Sequence, residues 1–196
     1  QARSYLKRAV AASSNFYHAH FDLGRSTYYA GDYPDAVSHY RMALKVRPRS
    51  SFAHSLLGLA YYHQGYVNQA IAVYRRAIQL NEKAMDAYLN LGTAYYYTGK
   101  VDDAIAVYQK ALKLNRDHSD LPTIHRNLGM AYAQKGRMDR AEAAYRKALE
   151  LDPKFADVHV SLGNLAFNRG EYQAAAEAYE KAIGGRPDDG ALHLKL

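Results

Sequence analysis

Histidine is the residue of this sequence whose chemistry most directly suggests a site, because imidazole binds zinc and moves protons near neutral pH. Histidines recur along the chain at His20, His54, His125, His159 and His193. If these places lie on neighbouring packed helices, they are on the order of 10 Å apart, whereas zinc needs its ligand nitrogens about 2 Å from one ion. We therefore interpret these histidines as packing residues and expect no metal site from them.

Other catalytic and ligand-binding patterns are absent from the sequence. The chain has no cysteine, which excludes disulfides, thiolate nucleophiles and zinc–thiolate sites. It contains no nucleophile elbow, phosphate loop, zincin motif or pair of placed carboxylates. The segment Asp117-His118-Ser119-Asp120 could hold a metal in a loop, but it is typical of an ordinary polar turn. We expect a protein that is not an enzyme, with no catalytic residue, cofactor or metal.

Tyrosine is the abundant residue with binding chemistry of its own, at 19 of 196 positions. Its ring offers a large rigid contact area and its hydroxyl a polar tip, and tyrosines are enriched where proteins bind one another. Three stand in a row at Tyr95, Tyr96 and Tyr97. Neighbouring residues of a helix point about 100° apart, so a helix cannot bury all three. Some tyrosines must therefore be structural, while others are available to a partner.

The residues that would position these tyrosines form a repeat. A Leu-Gly pair recurs at steps of 34, 34, 37 and 34 residues, and a second glycine follows each pair seven residues later. An alanine, a tyrosine and another alanine then follow at fixed offsets, which in the third copy are Ala104, Tyr108 and Ala111. The pairs are Leu23-Gly24, Leu57-Gly58, Leu91-Gly92, Leu128-Gly129 and Leu162-Gly163.

Each repeat predicts two helices. In the third copy Tyr88, Leu91 and Tyr95 lie on one apolar stripe at helical spacing, and the alanines and tyrosine of the second half lie on another. The small residues let the two helices approach closely, and Tyr108 fills the space between them. Gly99 ends the first helix, where glycine accepts the left-handed cap conformation.

This pattern resembles the tetratricopeptide repeat family, whose repeats of about 34 residues carry Leu-Gly, small and aromatic residues in fixed order. Five complete copies match, at 17–50, 51–84, 85–118, 122–155 and 156–189, and partial copies at 1–16 and 190–196 complete a single array over 1–196. Residues 1–16 would be the second helix of an earlier copy. The resemblance implies an all-α fold in which antiparallel helix pairs stack into a right-handed superhelix, with first helices lining a concave groove. We interpret the three extra residues 119–121 as a longer loop.

The candidate groove residues lie on the face of each first helix that the apolar stripe does not occupy. We predict a partner-binding groove formed by Phe21, Arg25, Tyr28, Tyr29, Phe52, Leu59, Tyr62, His63, Leu89, Asn90, Thr93, Tyr96, Tyr97, Arg126, Asn127 and Met130. Further positions on the same face of the last two copies are more polar: Ala133, Gln134, Asp157, Val160, Asn164, Phe167 and Asn168. Alternatively, neighbouring repeats pack so closely that the rings mainly cover one another.

Charge is unevenly distributed along the chain. The net charge is +7, and residues 1–83 carry 11 Lys and Arg against 4 Asp and Glu. A basic first half could suit an acidic partner or a phosphate backbone, although a solvated outer surface is the simpler interpretation. There is no signal peptide and no apolar run long enough to span a membrane, so we expect a soluble protein of unassigned compartment. The start reads as the middle of a helix without an initiator methionine, which predicts a fragment of a longer protein.

Three functions remain open at this point. The leading one is a noncatalytic scaffold for protein–protein interaction, whose groove binds an extended peptide, a proline-rich stretch or an amphipathic helix of a partner. The alternative is the substrate-recognition region of a larger enzyme, such as a glycosyltransferase, or of a glycan-handling assembly. RNA or polysaccharide binding on stacked tyrosines is a third, which the Leu-Gly and alanine pattern disfavours. Exposed terminal repeats could also support end-to-end self-association.

Overall fold

The computed structural model describes residues 2–114 and 117–185, except for the side chains of residues 2–11, 14 and 185. The described residues form ten α-helices and no β-strand, which confirms the predicted all-α fold. In chain order they are α1 (Ala2–Tyr29), α2 (Tyr33–Val46), α3 (Ser51–His63), α4 (Val67–Leu80), α5 (Met85–Tyr97), α6 (Val101–Leu114), α7 (Leu121–Gln134), α8 (Met138–Leu151), α9 (Ala156–Asn168) and α10 (Tyr172–Gly185). None of these ten helices combines the length and apolar character needed to cross a membrane. The predicted partial copy at 190–196 and His193 lie outside the described residues.

The chain divides after Tyr95 into two compact units. In the first unit α1 packs on α2, α2 on α3 and α3 on α4, and in the second unit the helices from α6 to α10 pack in sequence in the same way. Helix α5 crosses the division, so its residues from Tyr96 onward belong to the second unit. Packing of each helix mainly on its neighbours in sequence is typical of a repeat array.

A glycine and a tyrosine bring the two helices of a repeat together. In the first unit the ring of Tyr40 lies against Gly24 and the ring of Tyr74 against Gly58. A Cβ atom on these glycines would lie 2.7 and 2.6 Å from Cε1 of the facing ring, and both rings are only 1% exposed. The second unit has the same pairing in Gly129 with Tyr145 and Gly163 with Tyr179. The helices therefore approach more closely than any side chain larger than hydrogen would allow, as the Leu-Gly pair predicts.

The turn glycine of each repeat has a left-handed backbone. The φ angles of these five glycines lie between 71° and 83°. After α3, the amide of Gly65 donates to the Tyr62 carbonyl at 3.0 Å and the amide of Tyr66 to the Tyr61 carbonyl at 2.9 Å, which closes the helix in a Schellman motif. A Cβ atom on Gly65 would meet nothing within 4 Å, so the backbone conformation rather than crowding requires glycine here. In the first repeat Pro34 then lies in the opening turn of α2, where its fixed φ suits the helix.

Helix α1 differs from the predicted arrangement. The sequence predicts that residues 1–16 form a helix separate from the first helix of the repeat at 17–50, whereas α1 runs unbroken from Ala2 to Tyr29. The physical reason is that the chain has neither proline nor glycine before Gly24, whereas the turn after α2 contains Pro48. The segment therefore lacks the two residues that interrupt a helix most strongly.

Ion pairs recur between neighbouring repeats of the second unit. Lys135 Nζ lies 2.9 Å from Asp102 Oδ2, and Arg169 Nη2 lies 3.3 Å from Asp139 Oδ1. These two pairs occupy corresponding positions of successive repeats. Arg169 also reaches Glu142, with 2.6 Å between Nη1 and Oε2. Each pair joins the end of a first helix to the beginning of the second helix of the preceding repeat.

Candidate partner-binding site

Two of the recurring histidines bond to groups close to them in sequence, whereas Nδ1 of His20 lies 2.9 Å from Nδ1 of His39, 19 residues away. His54 Nδ1 donates to the Ser50 carbonyl at 2.8 Å, and His159 Nε2 donates to the Pro153 carbonyl at 3.0 Å. Burial lowers the pKa of His125, which favours its neutral form. Across 2–114 and 117–185 there is no group of three metal-ligating side chains close enough to hold an ion. These contacts give His54 and His159 a local role in packing and capping.

The three consecutive tyrosines have three different environments. Tyr95 is 3% exposed, and its hydroxyl accepts a hydrogen bond from the guanidinium of Arg75. Tyr96 is partly buried, and its ring meets Tyr97 edge to face with 5.2 Å between ring centroids. Tyr97 is 68% exposed. The prediction that Tyr95 is a core residue is confirmed, while Tyr96 and Tyr97 keep surface that a partner could contact.

The predicted groove residues of the first unit differ in accessibility. Phe21 is 8% exposed, and its ring packs against Tyr40 at 6.1 Å and Phe52 at 5.7 Å between centroids. Phe21 therefore offers a partner little surface, while Phe52 is exposed. Arg25 is exposed and lies 4.0 Å from Asp22, which is too long for a hydrogen bond. The partly buried members are Tyr28, Leu59, Tyr62, Leu89, Asn90 and Thr93.

Five rings from α1, α2 and α3, of which Tyr29 and His63 are exposed, form an aromatic cluster in the first unit: Tyr28, Tyr29, Tyr33, Tyr62 and His63. The imidazole of His63 stacks on Tyr33 at 5.0 Å and meets Tyr28 and Tyr62 edge to face at 5.6 and 5.9 Å. Tyr29 is 79% exposed at the rim of the cluster. Burial raises the pKa of Tyr28, and the neighbouring phenol of Tyr33 adds to that rise. The rings hold one another in place and present their outer faces together.

Tyr33 belongs to this cluster although it is absent from the predicted groove. It is the first residue of α2, and the prediction considered only the free faces of first helices. One feature of the sequence indicates the place of Tyr33. It follows the turn glycine Gly31 by two residues and must therefore lie near the end of α1.

The second unit contains a cleft of about 610 Å³ between α7 and α9. Its lining residues are Tyr96, Arg126, Met130, Ala133, Gln134, Met138, Tyr145, Asp157, Val160, Ser161, Asn164, Leu165 and Asn168. Three of the predicted groove residues, Tyr96, Arg126 and Met130, come together here. Most of the remaining lining residues come from the polar face that the sequence assigns to the same two first helices. Met138 and Tyr145 were missed because they belong to α8, a second helix.

Arg126 is the central charged group of the cleft. Its Nη2 lies 3.6 Å from Asp157 Oδ2, and its Nη1 donates to Asn127 Oδ1 at 3.3 Å. Its Nε is buried and has no hydrogen-bond partner among the described residues. Burial raises the pKa of both Tyr96 and Tyr145, and the positive charge of Arg126 opposes that rise. The cleft thus combines a loosely paired guanidinium with two neutral phenols.

Comparison with known protein families matches the repeat along most of the chain. One model of the tetratricopeptide repeat matches residues 83–154, and a second matches residues 21–88 and 126–191. The second model alone covers more than half of the chain. No curated protein sequence matches this chain.

Several solved structures share the fold. PilF from Pseudomonas aeruginosa superposes with a TM-score of 0.83 at 21% identity, over 94% of this chain and 82% of its own. MamA superposes with a TM-score of 0.73 at 26% identity, over 86% of this chain and 97% of its own. YrrB, described as a TPR protein with an unusual peptide-binding site, gives a TM-score of 0.67 at 23% identity, over 90% of each chain. All three have the helical repeat architecture seen in the two units.

Proposed function

Because this chain belongs to the tetratricopeptide repeat family, we propose that it is a noncatalytic scaffold that binds an extended segment of a partner protein in the cleft between α7 and α9. Members of the family commonly serve as scaffolds for protein–protein interaction. YrrB carries a peptide-binding site, but at 23% identity its likeness bears on the fold alone. The proposal for this chain therefore draws on the chemistry of its own cleft.

The cleft carries the proposal because it pairs apolar surface with amide and hydroxyl groups. Met130 and Val160 provide apolar contact, while Gln134, Ser161 and Asn168 provide polar groups around it. An extended peptide needs this combination, since each residue brings one backbone donor and one acceptor while alternate side chains point toward the surface. A volume of about 610 Å³ is in the range of ligand sites and suits a few side chains of an extended segment better than a whole helix.

The aromatic cluster of the first unit supplies a second contact surface of the same kind. Tyr29 and His63 are exposed, and their rings are held by Tyr28 and Tyr33, so a partner would find them already ordered. Rigid aromatic groups give contact area at low cost in conformational entropy. This surface is the second place at which we expect partner contacts.

The experiment selects peptides from a random library on the whole chain and measures the affinity of the best one by calorimetry. The cleft variant is Gln134→Ala/Asn168→Ala. Its matched control is Asn68→Ala/Gln69→Ala, which removes the same two side-chain types from exposed positions of α4. We expect the cleft variant to bind about thirtyfold more weakly, because two hydrogen bonds of about 1 kcal/mol each are lost, and the control to bind unchanged. Equal affinity in all three proteins would rule out the cleft as the binding site.

A further inference from the structure

A basic face covers the C-terminal half of α2 and the turn after it. It consists of Arg41, Lys45, Arg47 and Arg49, all of which are exposed. The stretch from Arg41 to Arg49 contains no acidic residue. Within the part of the chain that the structure describes, Arg41, Lys45 and Arg49 form no ion pair. The guanidinium of Arg47 lies over the ring of Tyr17, 4.3 Å from its centroid.

Positive charge continues onto the next second helix of the unit. Arg75 occupies on α4 the repeat position that Arg41 occupies on α2, and Arg76 follows it. Helix α4 has no acidic residue. Arg75 donates to the neutral hydroxyl of Tyr95, a contact that leaves its charge uncompensated.

Corresponding residues in the second unit are neutralised instead. Arg146 holds the repeat position of Arg41, and its Nη2 lies 2.6 Å from Glu142 Oε1. The next residue, Lys147, pairs with Glu150. Like charges four residues apart on a helix, such as Arg41 and Lys45, repel one another and lower helix stability. The positive charge at the same repeat position is therefore compensated in α8 and uncompensated in α2. A binding role for the basic face accounts for this difference.

An open depression of about 510 Å³ lies at the end of the basic face. It is lined by Tyr17, Arg47, Pro48, Arg49 and Ser50. The Tyr17 hydroxyl and Ser50 Oγ are 3.0 Å apart, so these two groups satisfy each other. Two guanidinium groups line the depression, and that of Arg49 forms no ion pair among the described residues. A planar guanidinium binds a carboxylate through two parallel hydrogen bonds, so an incoming acidic side chain fits this place.

We propose that the basic face binds an Asp- and Glu-rich segment of a protein partner, with one carboxylate received by Arg49 at the depression. Single-stranded nucleic acid binding needs accessible aromatic rings that stack on bases, whereas the ring beside this face, that of Tyr17, is 7% exposed and lies under the Arg47 guanidinium. Peripheral membrane binding needs exposed large apolar side chains beside the charges, whereas Leu44 and Val46 are partly buried here. An acidic segment needs only complementary charge and guanidinium geometry. This surface lies in the first unit and the cleft in the second, so the two proposals can fail separately.

The test measures fluorescence anisotropy of a fluorescein-labelled peptide of alternating acidic and glycine residues with the whole chain, against a peptide with Asn and Gln in place of Asp and Glu. The variant is Arg41→Gln/Lys45→Gln/Arg49→Gln. The control is Lys110→Gln/Lys113→Gln/Lys154→Gln, which removes three exposed positive charges from the second unit. We expect about tenfold weaker binding of the acidic peptide by the variant and less than about twofold change for the control. Added salt should weaken the binding by the unaltered chain.

Several outcomes would overturn the proposal. They are no preference of the unaltered chain for the acidic peptide, equal losses in both triple variants, or no loss in the basic-face variant. Tighter binding of oligouridylate or of phosphatidylserine vesicles, lost in the same variant, would assign the face to nucleic acid or to a membrane surface instead. Circular dichroism checks that the variants stay helical, and Arg49→Gln, in the turn after α2, is the second variant if the triple one loses helicity.

Discussion

The ring of Tyr74 occupies the space that a side chain on Gly58 would need, since a Cβ atom there would lie 2.6 Å from Cε1 of the ring. We expect Gly58→Ala to be destabilising overall, because overpacking costs about 1–3 kcal/mol and the better helix propensity of alanine returns only about 1 kcal/mol. Denaturant unfolding followed by circular dichroism measures the change. Gly184→Ala is the control, because Gly184 lies in α10 with nothing within 4 Å of its added Cβ. A similar effect of both substitutions would contradict the close helix approach.

Substitution of the turn glycine Gly65 measures the cost of a left-handed backbone conformation apart from any steric overlap. Its φ is 83°, and an added Cβ would meet no other atom within 4 Å. We expect Gly65→Ala to lower the free energy of unfolding by about 1–2 kcal/mol, because the left-handed conformation costs that much for an ordinary residue. Asparagine tolerates this conformation better, so Gly65→Asn should cost less. Thermal melts of the two variants distinguish these effects, and equal melting temperatures would show that the cap conformation is not what glycine provides.

Neighbouring tyrosines of α5 should respond differently to truncation. We expect Tyr95→Ala to cost about 3–5 kcal/mol of unfolding free energy, as loss of a buried aromatic ring does, while Tyr97→Ala changes it by less than about 0.5 kcal/mol. The reason is that Tyr95 is 3% exposed and Tyr97 is 68% exposed. Chemical denaturation of the two single variants makes the comparison. A comparable loss in Tyr97→Ala would mean that its ring is part of the core.

The two corresponding ion pairs of the second unit should differ in strength. Arg169 contacts both Glu142 and Asp139, whereas Lys135 pairs with Asp102 as its one acidic partner among the described residues. We expect Arg169→Ala to lower the free energy of unfolding more than Lys135→Ala does, because exposed single pairs contribute little and networks more. Both losses should shrink in concentrated salt, where the pairs are already screened. A loss that does not depend on salt would point to packing of the arginine stem instead of charge.

Tyr40 should make stability depend on alkaline pH. Burial raises its pKa from 10.0 to about 12, and the nearby charge of Arg25 opposes the rise. Between these two values the unfolded chain loses the phenol proton while the folded chain keeps it, so the free energy of unfolding falls as pH rises. Tyr40→Phe lacks this contribution and should show a shallower fall above pH 10, in urea titrations at a series of pH values. Identical pH profiles for the two proteins would contradict a contribution of Tyr40 to the pH dependence of stability.

Most of the fold could be predicted from the sequence, because the same pattern of packing residues recurs in each copy of the repeat. The glycine of each Leu-Gly pair and the later tyrosine were assigned to one close contact, and Gly58 and Tyr74 make that contact. The exception is α1, where no residue marks an end to the helix. The residues of the candidate binding site could be predicted less completely. The identity of free faces follows from helical spacing, but the burial of Phe21 and the inclusion of Met138 in the cleft depend on how helices from different parts of the sequence meet.

Each glycine–tyrosine contact has a consequence for how such a chain can change in length over evolutionary time. Gly24 and Tyr40 lie within 17–50, and Gly58 and Tyr74 lie within 51–84. Duplication or loss of a gene segment that begins and ends in the turns between copies leaves every such contact with both partners. A segment boundary inside a copy would separate glycine from tyrosine and leave a helix without its counterpart. Selection should therefore admit insertions and deletions of whole copies and remove those that cut one in two.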